Sequence, residues 1–210
     1  MSRFRALLVL VCLGFVGASC VTPPPGPAPT PAPPCDVLLV GDSMLRYPTD
    51  HVGLVDTFAA AGCPAEVDAQ VARPTTVAAD VIEARAADGT LPTLIGITSA
   101  GWDAYIGAFD SVGPSVDRVM AAAGGRQVVW VNAFVLNGTT NDQVVNAILA
   151  AKATEYPNLT VLDHYSWVSA NQDLLIDFAH LSTAGEQQWT QRLLAATQAA
   201  AVRAAAVPAT

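Results

Sequence analysis

The chain has 210 residues and is acidic, with 18 Asp and Glu residues against 10 Lys and Arg residues and a formal net charge of −8. An acidic chain without a basic patch argues against nucleic-acid binding. Residues 35–205 are numerous enough for one domain with a full hydrophobic core, and no internal repeat or second domain is evident.

The first segment, residues 1–19, begins with two arginines, continues with the apolar run ALLVLVCLGFVG and ends in small residues. This order is typical of a secretory signal peptide, and the apolar run is short for a permanent membrane span. The sequence GASC resembles the bacterial lipobox, in which the cysteine is lipidated, although Gly17 stands where that pattern prefers leucine. We therefore predict export with lipid attachment through Cys20, and simple secretion is the alternative.

A proline-rich segment follows at residues 20–34, with eight prolines in residues 21–34. Proline breaks helices and donates no hydrogen bond to a sheet, so this segment is predicted to be an extended spacer of roughly 40 Å. The spacer would hold the folded domain, residues 35–205, away from a membrane or cell wall.

From residue 36 onward, short apolar runs alternate with longer segments of helical periodicity. The short runs predict five strands, at residues 36–40, 66–71, 93–97, 127–135 and 159–163. The first, third and fourth are almost wholly apolar, as expected for parallel strands covered on both faces. The remaining patterns predict helices at about residues 51–62, 75–89, 115–125, 141–157 and 182–205. The alternation predicts a three-layer α/β/α sandwich with a parallel five-stranded sheet, whose site lies beyond the carboxyl ends of the strands.

Two cysteines remain in the folded part. Cys35 and Cys63 each stand just before a predicted strand. If those strands are parallel neighbours, both thiols lie at one edge of the sheet, where a disulfide can form in an exported protein. A loop of this length would stabilise the fold by roughly 3–4 kcal/mol. Two free thiols are the alternative.

Two short stretches carry candidate chemistry. Ser43 follows the first strand directly in Gly-Asp-Ser, a sequence that by itself indicates a turn or a helix cap. Near the other end, Asp177 and His180 stand three residues apart before the last helix. A serine nucleophile needs a base, and the base needs a carboxylate to orient it, so the three residues would form a triad if the loop reaches Ser43. The alternative is a surface carboxylate beside a histidine that caps the helix.

The stretches VGDSM and DFAHLSTAG resemble the first and last sequence blocks of the SGNH (GDSL-type) hydrolases, and YPNLTVLDHYSW resembles a segment of their exported actinobacterial cell-envelope members. The resemblance covers about residues 36–198. It implies a flavodoxin-like sandwich and a triad of Ser43, Asp177 and His180, in a family of esterases, lipases, carbohydrate deacetylases and acyltransferases. No cofactor and no metal are implied, and the sequence has no Cys/His cluster with metal-ligand spacing.

The resemblance also implies three oxyanion donors: the Ser43 N–H, a glycine N–H after the second strand and an asparagine side chain after the third. Ala72 stands in the place of the glycine, and its N–H can still donate. Ala100 stands in the place of the asparagine and donates nothing, a loss that costs about 2.7–4 kcal/mol of transition-state stabilisation. The candidates for compensation are Ser99, the indole N–H of Trp102, and Asn132.

A shifted alignment would instead put Asp103 at the asparagine position, where a carboxylate would repel an oxyanion. We prefer the first alignment because the third strand then ends at the usual point. Two residues beside the site carry further expectations. Arg73 is a solvated side chain, with binding of an anionic or sugar substrate as the alternative, and Phe178 narrows the site.

These features predict an exported serine esterase or acyl-transferring enzyme, acting as a monomer on a small acyl ester or an acylated glycan. The altered second and third blocks motivate the alternative, a noncatalytic envelope protein of the same fold that binds a glycan or a protein partner.

Overall fold

The computed structural model describes residues 33–206. The predicted signal peptide, Cys20 and nearly all of the predicted spacer therefore lie outside the described residues. The strands are β1 (Val37–Gly41), β2 (Ala65–Ala69), β3 (Leu94–Thr98), β4 (Gln127–Val131) and β5 (Leu159–Leu162). The helices are α1 (Ser43–His51), α2 (Leu54–Ala60), α3 (Thr75–Ala87), α4 (Ala100–Ile106), α5 (Val112–Ala123), α6 (Asn141–Glu155), α7 (His164–Ala170) and α8 (Thr183–Ala206).

The five strands form one parallel sheet in the order β2-β1-β3-β4-β5. This order confirms the predicted flavodoxin-like sandwich. Side chains alternate between the two faces of each strand, so Leu38 and Val40 pack against α3, α4, α5 and α6, whereas Val37 and Leu39 pack on the side of α1, α2, α7 and α8. Among residues 33–206, no helix is both long and apolar enough to cross a bilayer.

The predicted fourth strand is too long. β4 ends at Val131, although the apolar residues that follow Asn132, from Ala133 to Val135, are buried. Its neighbour β5 has only four residues and pairs with β4 no further than Val131, so no partner strand is available beyond that point. The chain leaves the sheet, and the N–H groups of Ala133 and Val135 are satisfied by side chains of α6, Asn146 at 2.7 Å and Asp142 at 3.2 Å.

The predicted helix at residues 51–62 is too long, since α2 covers only Leu54–Ala60, and the preceding helix α1, Ser43–His51, was not predicted. Gly53 has a φ of +65°, a left-handed conformation that ends α1 and lets α2 start in a new direction. The break changes which side chains face inward: Phe58 is fully buried, but Val55, predicted on the same face, is 37% exposed.

Cys35 and Cys63 form a disulfide, with their Cα atoms 4.5 Å apart. The pairing follows from the topology, since β1 and β2 are parallel neighbours and each cysteine stands just before one of them. The backbone also joins the two segments here, where the N–H of Val37 donates to the carbonyl of Pro64 at 3.1 Å. The disulfide therefore links the edge strand β2 to its neighbour β1, which lies inside the sheet.

Replacing both cysteines, Cys35→Ser with Cys63→Ser, is predicted to lower the free energy of unfolding by about 3–4 kcal/mol, because the open chain regains the entropy of a loop closed across 28 residues. Urea denaturation measures the change. A reducing agent should lower the stability of the unmodified protein by the same amount and leave that of the double variant unchanged. A loss below about 1 kcal/mol would contradict the prediction.

Candidate active site

Ser43 stands at the carboxyl end of β1, where the strand passes directly into α1. Asp42 caps the helix, and its Oδ1 accepts a hydrogen bond from the N–H of Met44 at 2.9 Å. Gly41 allows the close approach to β3, because a Cβ at this position would lie 1.8 Å from Thr98 Oγ1. The half-buried Ser43 side chain is therefore held at the start of a helix, at the centre of the sheet.

Asp177 and His180 belong to a tight turn that precedes α8. The turn is closed by a bridge between Leu175 and Leu181 and by the N–H of Ile176, which donates to the carbonyl of His180 at 2.9 Å. Inside the turn, Asp177 Oδ1 accepts from the backbone N–H groups of Ala179 and His180, at 2.8 and 2.7 Å. The three-residue spacing thus lets one carboxylate oxygen of Asp177 bind the backbone of its own turn, which leaves the other oxygen for the imidazole.

The fold brings Ser43, Asp177 and His180 together. His180 Nε2 is 2.9 Å from Ser43 Oγ, and His180 Nδ1 is 2.7 Å from Asp177 Oδ2. Both distances lie within hydrogen-bond reach for a base and its orienting group. The two ends of the chain supply the contact, since Ser43 and His180 are 137 residues apart in sequence.

The electrostatics of Asp177 suit an orienting role. Partial burial raises the pKa of Asp177. Hydrogen bonds from the backbone N–H and the side chain of His180 and from the N–H of Ala179 lower it by more, so the pKa lies below the usual range. The carboxyl group is ionised at neutral pH and holds the Nδ1 proton of His180. The Nε2 lone pair is then directed at Ser43 and can accept the hydroxyl proton.

Tyr47 packs against the imidazole of His180, and Glu186 is linked to Tyr47 through His51; neither residue was predicted from the sequence. Tyr47 lies one helical turn after Ser43, with its ring centroid 4.9 Å from that of His180 and 5.5 Å from that of His51. His51 Nδ1 in turn contacts Glu186 Oε1 at 3.0 Å, and this carboxylate is 3% exposed. The i, i+4 spacing of Tyr47 from Ser43 was the available signal, because it puts both side chains on one face of α1.

Ala72 has a left-handed backbone, with a φ of +60°, and it is the only non-glycine residue among residues 33–206 with a positive φ. It follows the point where the N–H of Gln70 donates to the carbonyl of Gly41, so it lies beside the end of β1. Neither its N–H nor that of Ser43 donates to another described residue. A left-handed backbone suits glycine, the residue that the resemblance implies at this position. Alanine retains the same backbone N–H.

Ala100, which stands in the place of the asparagine, supplies no side-chain donor. Ala100 is the first residue of α4, is 1% exposed and packs in the core on the side of α3 and α5. The shifted alignment also fails, because the fully buried Asp103 accepts from the N–H of Thr75 at 2.8 Å and from the Ser111 hydroxyl at 3.3 Å. Asp103 thus holds the start of α3 instead of facing the serine.

The three candidates for compensation are placed differently. Asn132 is committed elsewhere, since its Oδ1 accepts from the N–H groups of His164 and Tyr165 at 2.7 Å and its Nδ2 donates to Asp163 at 3.1 Å. The prediction for Asn132 is therefore wrong, because its side chain caps α7. Ser99 is fully buried with no hydrogen-bond partner for its hydroxyl within residues 33–206.

Trp102, the third candidate, lies on α4, where its backbone N–H donates to Asp42 and its indole stacks on Tyr105 at 5.5 Å.

The expectation for Arg73 is wrong. It is 6% exposed rather than solvated, and it donates to the carbonyl and the carboxylate of Asp68 at 2.6 and 2.7 Å. Its guanidinium closes the loop that carries Ala72, which makes it a brace of that loop.

Asp42 is the buried carboxyl group nearest the serine in sequence. Burial raises its pKa to about 7, and hydrogen bonds from the N–H groups of Met44 and Trp102 oppose that rise. The same carboxyl group joins the start of α1 to α4, and a Cβ on Gly101 would lie 3.4 Å from its Oδ2. The residue therefore fixes the position of Ser43 relative to the third block.

Within the described part of the chain, no group of His, Cys, Asp or Glu residues is arranged to hold a metal ion.

Replacing Ala72 by glycine is predicted to raise the free energy of unfolding by about 0.5–1 kcal/mol, because the left-handed backbone costs alanine more than it costs glycine. Urea denaturation measures the change. The matched control is Ala151→Gly on the exposed side of α6, which should lower stability by about 1 kcal/mol. A loss of stability in both variants would contradict the left-handed assignment.

The raised pKa of Asp42 predicts a pH dependence of stability. The folded state retains the carboxyl proton up to about pH 7, whereas the unfolded chain releases it near 3.8, the ordinary pKa of an aspartate. Relative to Asp42→Asn, the unmodified protein should therefore lose roughly 2–4 kcal/mol of unfolding free energy between pH 4 and pH 8. Denaturant titrations of both proteins across this range measure the difference, and a difference that does not vary with pH would contradict the prediction.

In comparisons by sequence, no protein-family model and no curated protein matches the chain. Comparison by structure finds similar folds. The C-terminal catalytic domain of a peptidoglycan O-acetyltransferase of Streptococcus pneumoniae superposes with a TM-score of 0.62 and 18% identity, over 82% of this chain and 95% of that one. A G-D-S-L family lipolytic protein of Veillonella parvula gives a TM-score of 0.60 and 18% identity, over 77% and 97% of the two chains.

A psychrotrophic esterase of a Pseudoalteromonas species is similar as well, with a TM-score of 0.57 and 14% identity, over 75% of this chain and 93% of that one. At these identities the likeness shows the fold. The chain has the fold of the GDSL-type hydrolases, and the resemblance predicted from VGDSM and DFAHLSTAG is confirmed at that level.

Proposed function

We propose that the protein is a serine esterase in which Ser43 is the nucleophile, His180 the general base and acid, and Asp177 the residue that orients His180. The observation that carries the proposal is the unbroken series of hydrogen bonds from Asp177 through His180 to Ser43, at 2.7 and 2.9 Å. Esterases and an O-acetyltransferase among the similar structures support ester chemistry as the reaction class.

The reaction begins when Ser43 Oγ bonds to the carbonyl carbon of the ester and its proton moves to His180 Nε2. The carbonyl oxygen then carries the negative charge and accepts hydrogen bonds from the N–H groups of Ser43 and Ala72. Collapse of this intermediate breaks the bond to the alcohol oxygen, which leaves with the proton from His180. Water then attacks the acyl-serine in the same way and releases the acid.

The oxyanion site of this proposal is made of backbone alone. The proposal uses two N–H groups, one at the start of α1 and one in the left-handed turn at Ala72, and it needs no side-chain donor. The helix N-terminus adds a positive dipole end beside the developing charge. Without the third donor, we expect turnover to be lower than that of an otherwise equal site with an asparagine side chain in place.

We further propose that the protein works outside the cytoplasm. The disulfide between Cys35 and Cys63 supports this location, because such bonds persist in oxidising compartments. The sequence of residues 1–20 supports export, with lipid attachment through Cys20 or simple secretion as the two forms. A third block without a donor favours one other function, binding of an envelope ligand by the same fold without catalysis.

The purified protein is predicted to be labelled by a fluorophosphonate probe and to hydrolyse p-nitrophenyl acetate, and both activities should vanish in Ser43→Ala. Mass spectrometry of peptides locates the label. The matched control is Ser169→Ala, since Ser169 is an exposed serine on α7, outside the candidate site. An unlabelled, inactive but folded unmodified protein would refute the esterase and leave the binding function.

Replacing Asp177 by asparagine is predicted to lower kcat for p-nitrophenyl acetate by about 10²–10⁴-fold, because the amide no longer stabilises an imidazolium or fixes the Nδ1 proton. KM should change little, as the carboxylate does not touch the substrate. Steady-state kinetics measure both constants. A decrease in kcat of less than about threefold would contradict the role assigned to Asp177.

A further inference from the structure

Large apolar side chains are exposed around the proposed nucleophile, on three segments that are far apart in sequence. Tyr105 lies at the end of α4 and is 43% exposed, and Leu136 follows β4 and is 55% exposed. Ile176 and Phe178 flank Asp177 in the turn before α8 and are 68% and 40% exposed. We call these four residues the apolar rim.

The three segments of the apolar rim are joined by direct contacts, and Phe178 lies beside His180, the proposed general base. The rings of Tyr105 and Phe178 stack with their centroids 5.2 Å apart, and the ring of Phe178 lies 6.1 Å from that of His180. Trp102 extends the stack on the far side, 5.5 Å from Tyr105. The N–H of Leu136 donates to the carbonyl of Phe178 at 2.7 Å, which fixes the third segment against the turn.

The chemistry of the apolar rim favours hydrocarbon over sugar. Three of the four rim residues, Leu136, Ile176 and Phe178, have no polar side-chain group, and the carboxylate between Ile176 and Phe178 is engaged with His180. Exposed apolar surface of this kind, next to a reactive group, is a feature of binding sites. Burial of a hydrocarbon chain would remove these side chains from water without leaving a polar group unpaired.

We propose that the apolar rim binds the acyl chain of the ester substrate and makes the enzyme selective for esters with a hydrocarbon acyl chain over acetate esters. The inference rests on the proposed function, because it assigns the acyl side of the same reaction. Attack by Ser43 transfers the acyl group to the serine oxygen, and the chain then lies over Phe178 and Tyr105 while water or another hydroxyl approaches. Acetate esters reach the serine but leave the apolar rim uncovered.

The kinetic test compares kcat/KM for p-nitrophenyl octanoate and p-nitrophenyl acetate. The ratio of the two should exceed 1 in the unmodified protein and fall about tenfold in Ile176→Ser and in Tyr105→Ser. The matched control is Val202→Ser on α8, where a side chain that is 59% exposed lies outside the apolar rim, and its ratio should equal that of the unmodified protein. An equal loss for both esters, or no loss for either, would overturn the proposal.

A binding test does not depend on catalysis and separates this inference from the proposed function. Ser43→Ala protein with labelled isoleucine methyl groups is titrated with 1-octanol and followed by NMR. The Ile176 methyl should shift, whereas the methyls of the fully buried Ile82 and Ile95 should not. Such a shift supports the apolar rim even if fluorophosphonate labelling fails.

Three outcomes of the NMR titration would overturn the inference. One is an Ile176 methyl that does not move up to the solubility limit of octanol. Another is a shift caused by a soluble acetylated oligosaccharide and not by octanol, which would assign the surface to a glycan. The last is a shift that requires phospholipid vesicles, which would make the apolar rim a membrane-contact surface.

Discussion

The close approach of β1 to β3 at Gly41 sets the geometry on which the candidate site depends. A single methyl group at this position would overlap Thr98, so the two central strands can end side by side only because the residue is glycine. The chain then turns at once into α1, with Asp42 as its cap and Ser43 as its first residue. The position of this junction determines where Ser43 lies relative to the turn before α8 and the loop after β2.

The candidate site has two parts, one made of side chains and one made of backbone N–H groups. The series from Asp177 to Ser43 consists of short hydrogen bonds between side chains, and packing by Tyr47 holds the imidazole in place. In the proposed mechanism the oxyanion is held by the N–H groups of Ser43 and Ala72, and the left-handed backbone at Ala72 costs about 1 kcal/mol or more of strain. Arg73 braces that strained loop from inside, which a solvated arginine could not do.

Local pattern was enough to predict the sheet and to single out Ser43, Asp177 and His180, whose side chains the fold brings together, because strand alternation and the Asp-x-x-His spacing are encoded in short stretches. It failed where the answer depends on a partner far away in sequence. β4 ends where β5 ends, Asn132 caps α7, and Arg73 finds Asp68, none of which a short stretch can encode. The apolar rim was unpredictable for the same reason, since α4, the end of β4 and the turn before α8 each supply a part.

The central claim is that Ser43 attacks while backbone N–H groups alone hold the oxyanion. A crystal structure of the protein after reaction with diethyl p-nitrophenyl phosphate tests it most directly, because the phosphoryl oxygen of the adduct occupies the place of the oxyanion. The account predicts phosphorus on Ser43 Oγ, with that oxygen about 2.7–3.1 Å from the nitrogens of both Ser43 and Ala72. A modified residue other than Ser43, or a phosphoryl oxygen directed away from Ala72, would contradict it.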